Sequence, residues 1–369
     1  MNIITGIILL GIVHGFILGI FLLSIRRGNQ SANGILGIII ILFSYTLSPA
    51  LFLNTGLYKT LPHLMLTANP VLFLFGPLFL FYVKFLTSKE VKFKKVDLFH
   101  FSFFILHFCY LIPFYIKSGD EKLRILEKGA PGNEVINYLL TVSFFVQVLV
   151  YIVIVYHTAK IHSKNLENTF SSIEKINLKW IQTSIRWLFV VLVMMIVNVI
   201  LYFFGYANFV NTYSGNFVPL LVVIIIYSIG YRSLWQPEIF ASEVEEPKKY
   251  NKSVLELDKA QKYLEHLISY MESEKPFLKS DLTLKNLSEM SGIPYYHLSR
   301  IINENLKQNF FDFVNRYRIE EAKKNLIDPK YDHYSILGIA IESGFNSKSA
   351  FNTAFKKYTN TTPSQFRSK

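Results

Sequence analysis

Thr283-Leu-Lys-Asn-Leu-Ser-Glu-Met-Ser-Gly292-Ile-Pro-Tyr-Tyr-His-Leu-Ser-Arg300 is the stretch on which the fold of the C-terminal third turns. Leu284, Leu287 and Met290 recur at helical spacing, and Thr283 sits where a side-chain oxygen can cap the helix they define. Ser291-Gly292 supplies a tight turn, because glycine takes positive φ without a Cβ clash. Pro294 suits the first turn of a second helix. On that helix Leu298, Ile301 and Ile302 turn inward, which leaves Tyr295, Tyr296, Ser299, Arg300 and Asn303 facing out.

The same layout returns about 50 residues later. Ile336-Leu-Gly-Ile-Ala340-Ile-Glu is a short apolar helix, Gly344 marks the turn and Ser347 caps a second helix with Phe351 and Phe355 inside. Lys348, Ser349, Asn352 and Thr353 face out, and Ala340 is small enough for two helices to cross closely. Between the two units, Phe310–Ile327 reads as one amphipathic helix with Phe310, Phe313, Val314, Tyr317, Ala322 and Leu326 on its inner face. One helix-turn-helix pattern is weak evidence. Two of them, joined by such a helix, are hard to obtain by chance.

This arrangement resembles the DNA-binding domain of the AraC/XylS family of bacterial transcription regulators. The matching residues include Leu298-Ser299-Arg300, Tyr317-Arg318-Ile319 with Ala322, Ile339-Ala340, Gly344-Phe345, Ser347, Phe351, Phe355-Lys356, Thr362-Pro363 and Phe366-Arg367. The resemblance covers about the last hundred residues. Thr353 stands where the family often has Arg, and Lys307 and Asn360 stand where it often has Gly, which asks a turn to be made without glycine.

The resemblance implies that the second helix of each unit enters a major groove, its outward residues meeting base edges while phosphate contacts fix its position. In the first unit Arg300 would pair bidentately with guanine or hold a phosphate. Tyr296 would stack on a sugar or touch a thymine methyl, and Ser299 would bond either way; Tyr295 is a contact or a surface aromatic. In the second unit Lys348 points at guanine or phosphate, Asn352 suits adenine, and Ser349 and Thr353 are permissive. The connecting helix, roughly 25 Å long at 1.5 Å per residue, would set the recognition helices about one DNA turn apart. One chain would then read two successive grooves. Arg316, Arg318, Lys323, Lys324, Lys356, Lys357 and Arg367 divide between phosphate contacts and pairs with Glu320 and Glu321, with Arg318 the most structural of them.

The front of the chain is different in kind. Hydrophobic residues make up 51% of 369, and the mean hydropathy of +0.31 is high for a soluble protein. Apolar runs recur at Ile3–Ile25, Gly34–Leu53, Leu64–Leu86, Leu98–Ile116, Val135–His157, Ile185–Phe204 and Phe217–Tyr231, the last short unless it begins near Phe209. Most approach the ~20 residues needed to cross the hydrocarbon core. The first is followed rather than preceded by basic residues, Arg26 and Arg27, so it reads as a retained helix and not as a secretory signal.

Net charge is +12. From Lys248 onward there are 20 Lys and Arg against 14 acidic residues, and the front carries a similar excess. Basicity therefore has two origins, phosphate contacts behind and membrane topology in front. Lys84, Lys89, Lys92, Lys94 and Lys95 end or follow the third run, Lys160, Lys164, Lys175 and Lys179 follow the fifth, Arg186 opens the sixth and Arg232 follows the seventh. The alternate loops are poorer in positive charge. The positive-inside rule then places the N-terminus outside and the C-terminus in the cytoplasm, where bacterial DNA lies.

His14, His107, Gln147 and Asn198 are the polar residues within the runs; as isolated groups they read first as interhelical hydrogen bonders. Pro70, Gly76 and Pro77 would kink the third run. The lone Cys109 reads as a buried thiol. Trp235–Ser253, with Pro237, Pro247 and an acidic run, reads as a tether through which a signal would pass from the last span. Val254–Met271 is an amphipathic helix expected to pack on its own domain.

The expected fold is all-α. A transmembrane bundle of about seven helices (1–233) is followed by a linker (234–253) and a cytoplasmic AraC-like domain (254–369), with helix-turn-helix units at 283–303 and 335–358. Phosphate-loop, dinucleotide-binding, zinc-ligand and nucleophile-elbow patterns are missing, so no enzyme, metal or cofactor is expected. The function expected is that of a membrane-embedded, sequence-specific transcription regulator of the cytoplasmic membrane answering a membrane or extracytoplasmic signal. Its partners would be double-stranded DNA and the lipid bilayer, with a small ligand, a second copy of the chain and RNA polymerase as further candidates. The alternatives are a transporter or channel carrying a regulatory DNA-binding domain, and a mere anchor.

Overall fold

The computed structural model describes residues 3–26, 29–87, 93–129, 131–173, 179–206, 217–235 and 257–368. The regular structure among these residues is helical, and the only extended pairing among them is an isolated antiparallel bridge between Phe170 and Thr283. They form two compact units. One comprises Met1–Lys160 and Leu178–Val244, the other Ile161–Asn177 and Glu245–Lys369.

The first unit begins with α1 (Ile3–Ser24) and α2 (Gln30–Thr46), then α3 (Ser48–Thr55). The run expected as one helix over 34–53 is broken at Leu47, because Pro49 cannot donate a backbone hydrogen bond and starts a new helix instead. Gly11, Gly15 and Gly19 form a stripe at i, i+4, i+8 on α1. A Cβ on Gly15 would collide with the Ser44 hydroxyl, and one on Gly19 would meet the carbonyl oxygen of Gly37. The stripe thus lets two backbones approach more closely than any side chain permits, the device that joins helices where water supplies no driving force. Asn29 caps α2 and also donates to the Phe85 carbonyl at 2.6 Å.

The third run begins later than its hydropathy suggests. Pro70–Leu74 is a 3-10 turn that leads into α4 (Phe75–Thr87), while Met65–Asn69 are turns. Gly76 admits the Tyr151 ring against the backbone. Next come α5 (Ser102–Tyr115), a short amphipathic α6 (Gly119–Lys128) with a Ser118–Glu121 capping box, α7 (Glu134–Thr169), α8 (Lys179–Phe203) and α9 (Phe217–Trp235). Six of these segments are long and apolar enough to cross a membrane; Phe217–Ser228 in α9 is the shorter seventh. The core gathers Ile8, Leu36, Ile39, Val83, Val155, Ala159 and Ile226 from α1, α2, α4, α7 and α9. Leu10, Leu106, Leu139 and Val153 point away from it.

Cys109 is exposed, not buried as expected, because α5 fully buries only Leu111 and Phe114 and Cys109 lies on its outward side. Of His14, His107, Gln147 and Asn198, Gln147 donates to another element, the Phe73 carbonyl at 3.2 Å. Asn198 returns its amide to Met194 in its own helix, and His14 stacks on Tyr227 at 4.3 Å. An apolar cavity of about 240 Å³ lies among α2, α4, α7, α8 and α9, walled by Phe75, Phe79, Leu188 and Val222 with the Tyr151 ring.

The second unit contains α10 (Leu257–Ser273), α11 (Leu284–Ser291), α12 (Tyr295–Arg300), α13 (Phe310–Ile327), α14 (Ile336–Glu342), α15 (Lys348–Thr359) and α16 (Pro363–Arg367). It has two apolar cores. Leu267, Met271, Leu284, Leu287, Leu298 and Phe313 form one, Ile319, Ile339, Ala340, Phe351 and Phe355 the other, and α13 contributes to both. Leu267 and Met271 are fully buried, so α10 packs on its own domain. The linker expected at 234–253 lies outside the described residues apart from its first two, as do Lys89, Lys92, Lys175 and the start near Phe209.

Candidate nucleic-acid interface

The first helix-turn-helix is built as its residues dictate. Thr283 caps α11 by accepting from the Asn286 amide at 3.1 Å, and Gly292 turns the chain at φ +70°. α12 follows with Leu298 fully buried, and a π-turn over Ile301–Asn305 prolongs it with Ile301 and Ile302 inside. In the second unit Ser335 caps α14, Gly344 turns at φ +87°, and Ser347 caps α15 by accepting from the Ala350 amide. Lys307 and Asn360, which replace the glycines of the resemblance, both take left-handed backbones at φ +53° and +58°. The turn geometry survives while its usual residue does not.

On α15 the arrangement is clean. Phe351 and Phe355 are buried, whereas Lys348, Ser349, Asn352 and Thr353 are exposed on the opposite side. Lys348, Asn352 and Thr353 line one open groove with Lys356, Lys357 and Ser364 at the start of α16. The sequence reading did not include Ser364. The signal was there in Thr362-Pro363, a capped proline start that brings α16 beside α15.

The first unit departs in detail. Tyr295, Tyr296, Ser299 and Arg300 all lie half-exposed on α12, and Tyr295 also packs against the first apolar core. Its ring is long enough to lie down along the helix and cover apolar surface. Arg300 Nε donates to Glu304 Oε2 at 2.6 Å one helical turn on. That hydrogen bond to a carboxylate pushes the guanidinium's pKa further up, so Arg300 keeps its charge.

Two basic residues prove structural. Arg318 is fully buried, as its place in the sequence suggested. Arg367 donates to the carbonyls of Tyr334, Tyr331 and Asp332 at 2.7, 3.0 and 2.6 Å, closing the loop before α14 rather than reaching outward. Lys323 pairs with Glu320, and Lys275 pairs with Glu321. Lys348 and Lys356 carry positive charge on the exposed face of α15.

Tandem helix-turn-helix units with polar recognition faces define a DNA-binding module of a transcription regulator. A helix-turn-helix domain family matches residues 287–369. The chain is 35% identical over 123 residues, a third of its length, to an uncharacterized HTH-type transcriptional regulator of Staphylococcus aureus strain COL. It spans only 15% of that relative's length. It is also 35% identical over 86 residues to the "Probable transcription factor PqrA" of Proteus vulgaris, covering 68% of that protein and 23% of this chain. A solved structure of a protein of unknown function from Listeria innocua matches 28% of this chain and 94% of that one, at 28% identity and a TM-score of 0.25. The chain belongs, through its C-terminal domain, to the AraC-type helix-turn-helix transcriptional regulators.

Proposed function

We propose that the protein is a membrane-embedded regulator that binds promoter DNA through two successive major grooves and answers a signal received in or beyond the membrane. One observation carries the DNA reading. Lys348, Asn352 and Thr353 share the open face of a helix whose other face, Phe351 and Phe355, is locked in a core. Side chains held this way meet base edges in a fixed register. Tyr296, Ser299 and Arg300 do the same on α12, with Tyr295 supporting them from the domain core and Ser349 flanking Lys348. α13, 18 residues or about 27 Å long, is the spacer.

Six long apolar helices support insertion in a bilayer, and their outward Leu, Ile and Val side chains would have no favourable contact in water. Positive charge in alternate loops supports a cytoplasmic C-terminal domain. The boundaries 1–233, 234–253 and 254–369 follow from that reading. The apolar cavity beside Tyr151 supports a small apolar molecule as the signal. Contact with RNA polymerase, and pairing with a second copy, belong to the same proposal.

The test is selection of random duplexes by the full-length protein in nanodiscs, alongside Arg300→Ala and Lys348→Ala. Two short motifs about one helical turn apart are expected, each degraded by its own substitution with about 1–3 kcal/mol of lost discrimination. Binding that is salt-sensitive but blind to sequence would remove the regulator reading.

A further inference from the structure

The DNA-binding unit includes a segment far from it in sequence. α7 does not stop at His157, where its hydropathy falls, but runs on to Thr169. Its residues up to Lys160 belong to the first unit and those from Ile161 to the second. The chain then extends across the start of the first helix-turn-helix. Phe170 bridges Thr283 in antiparallel fashion. The Ser171 amide donates to the Leu282 carbonyl at 3.1 Å, and the Ser171 hydroxyl donates to the same oxygen at 2.6 Å. The Ser172 hydroxyl donates to the Ser280 carbonyl at 2.7 Å. Leu166 and Ser171 are buried almost completely, and Ile173 nearly so.

Beneath this segment lies Arg318, at the middle of α13. Its guanidinium donates to the Ser171 carbonyl at 3.0 Å, the Ser171 hydroxyl at 3.0 Å and the Ser172 hydroxyl at 3.3 Å. It also donates to the carbonyls of Phe277 at 2.8 Å and Lys279 at 2.7 Å, which precede α11. On its other side it lies over the Phe345 ring at 5.8 Å, in the turn of the second helix-turn-helix. Gly344 is needed there, since a Cβ would press on the Phe277 carbonyl and on Arg318 itself. One side chain therefore touches both units and the incoming segment. A buried guanidinium stripped of acceptors is costly, so its surroundings rearrange when they are withdrawn.

We propose that the face of the DNA-binding unit formed by Phe277–Thr283 and Arg318 is the docking surface for the chain's own Leu166–Ile173, and that its seating sets the affinity for DNA. Seated, the segment completes the hydrogen bonding of Arg318 and fixes the two helix-turn-helix units in the spacing that two grooves require. Unseated, each unit keeps its own core but their mutual geometry loosens. A displacement of α7 thus reaches the DNA-binding unit directly, without passing through the segment that precedes α10. The inference rests on the DNA-reading function proposed above, and the test separates the two.

The full-length protein in nanodiscs is measured against a duplex with both selected motifs and against a duplex with one. Ser171→Pro removes both bonds to Leu282; Ser171→Ala with Ser172→Ala removes only the hydroxyls and guards against misfolding. Both variants are expected to weaken two-motif binding, Ser171→Pro by about tenfold, within the range usual for coupled sites, while one-motif binding stays within about twofold. Separately, Phe170→Cys with Thr283→Cys in a Cys109→Ala background should form a disulfide in oxidised membranes, because residues directly opposite in an antiparallel pair lie within disulfide reach. Unchanged two-motif affinity in both variants, or a cysteine pair that stays reduced, overturns the docking proposal. If the wild type shows no sequence preference, the DNA-reading proposal falls and the coupling to affinity with it. The disulfide then still decides whether the segment docks.

Discussion

Lys357 Nζ sits 2.6 Å from Asp312 Oδ1, which ties α15 to the first turn of α13. The Tyr358 hydroxyl reinforces the tie by donating to the Asp312 carbonyl at 3.1 Å and its carboxylate at 3.2 Å. Burial first, and the Asp312 charge second, push the Tyr358 hydroxyl well above its usual range near 10. A raised pKa means that the folded state holds this proton more tightly than the unfolded state. The contribution is therefore complete below pH about 10 and is lost as pH climbs from there toward the folded value. Tyr358→Phe should cost about 1 kcal/mol at neutral pH, and the gap to wild type should narrow above pH about 10. Thermal unfolding across an alkaline pH series reads both; a gap independent of pH would mean the phenol is not held as described.

Arg318 is the strongest single anchor of the second unit. Replacing it by Ala strands the carbonyls of Phe277, Lys279 and Ser171 in a buried site and should cost about 3–5 kcal/mol. Arg318→Lys keeps the charge but loses the fork that spans these acceptors, so it should rescue only a minor part. Chemical denaturation followed by circular dichroism would show it, and a loss under 1 kcal/mol for Ala would contradict the geometry.

Lys307 and Asn360 both hold positive φ. A left-handed backbone costs an ordinary residue about 1–2 kcal/mol, and Asn less than Lys. Lys307→Gly should therefore raise stability by about 1 kcal/mol, and Asn360→Gly by less. Melting temperatures of the two variants should rank in that order. The reverse order would point to a side-chain role for Asn360.

Glu304 holds the guanidinium of Arg300, the side chain proposed above to contact DNA. Glu304→Gln releases the guanidinium and removes a negative charge from the recognition surface. Affinity for the selected duplex should rise about threefold, mostly through association rate, and the gain should shrink as salt is added. An equal gain in the Arg300→Ala background would show that Glu304 acts on DNA alone.

The helix-turn-helix units were legible because their signals are local. Thr283, Gly292 and Ser347 act on neighbours within four residues, and Phe351 and Phe355 declare their buried side by spacing alone. The breaks at Leu47 and before Phe75 were less so, since Pro49 and Pro70 interrupt helices without lowering hydropathy. That Tyr295, half-exposed like its neighbours, also packs on a core is not legible from spacing alone. The role of Ser171 and Ser172 was invisible. Two serines after a polar stretch carry no local signal, and what makes them specific is a partner 147 residues away in the chain.

α7 contains neither glycine nor proline in its 36 residues. Bends in long helices need such a residue, a π-bulge or an inserted group, so nothing in its sequence offers a cheap hinge. At 1.5 Å per residue it is a shaft of about 54 Å, against roughly 30 Å for a hydrocarbon core. Within the first unit, from Glu134 to Lys160, it offers no residue at which a bend comes cheaply. A device of this kind is tuned by where its ends are gripped rather than by its middle, and a single glycine placed at its centre would act as a clutch.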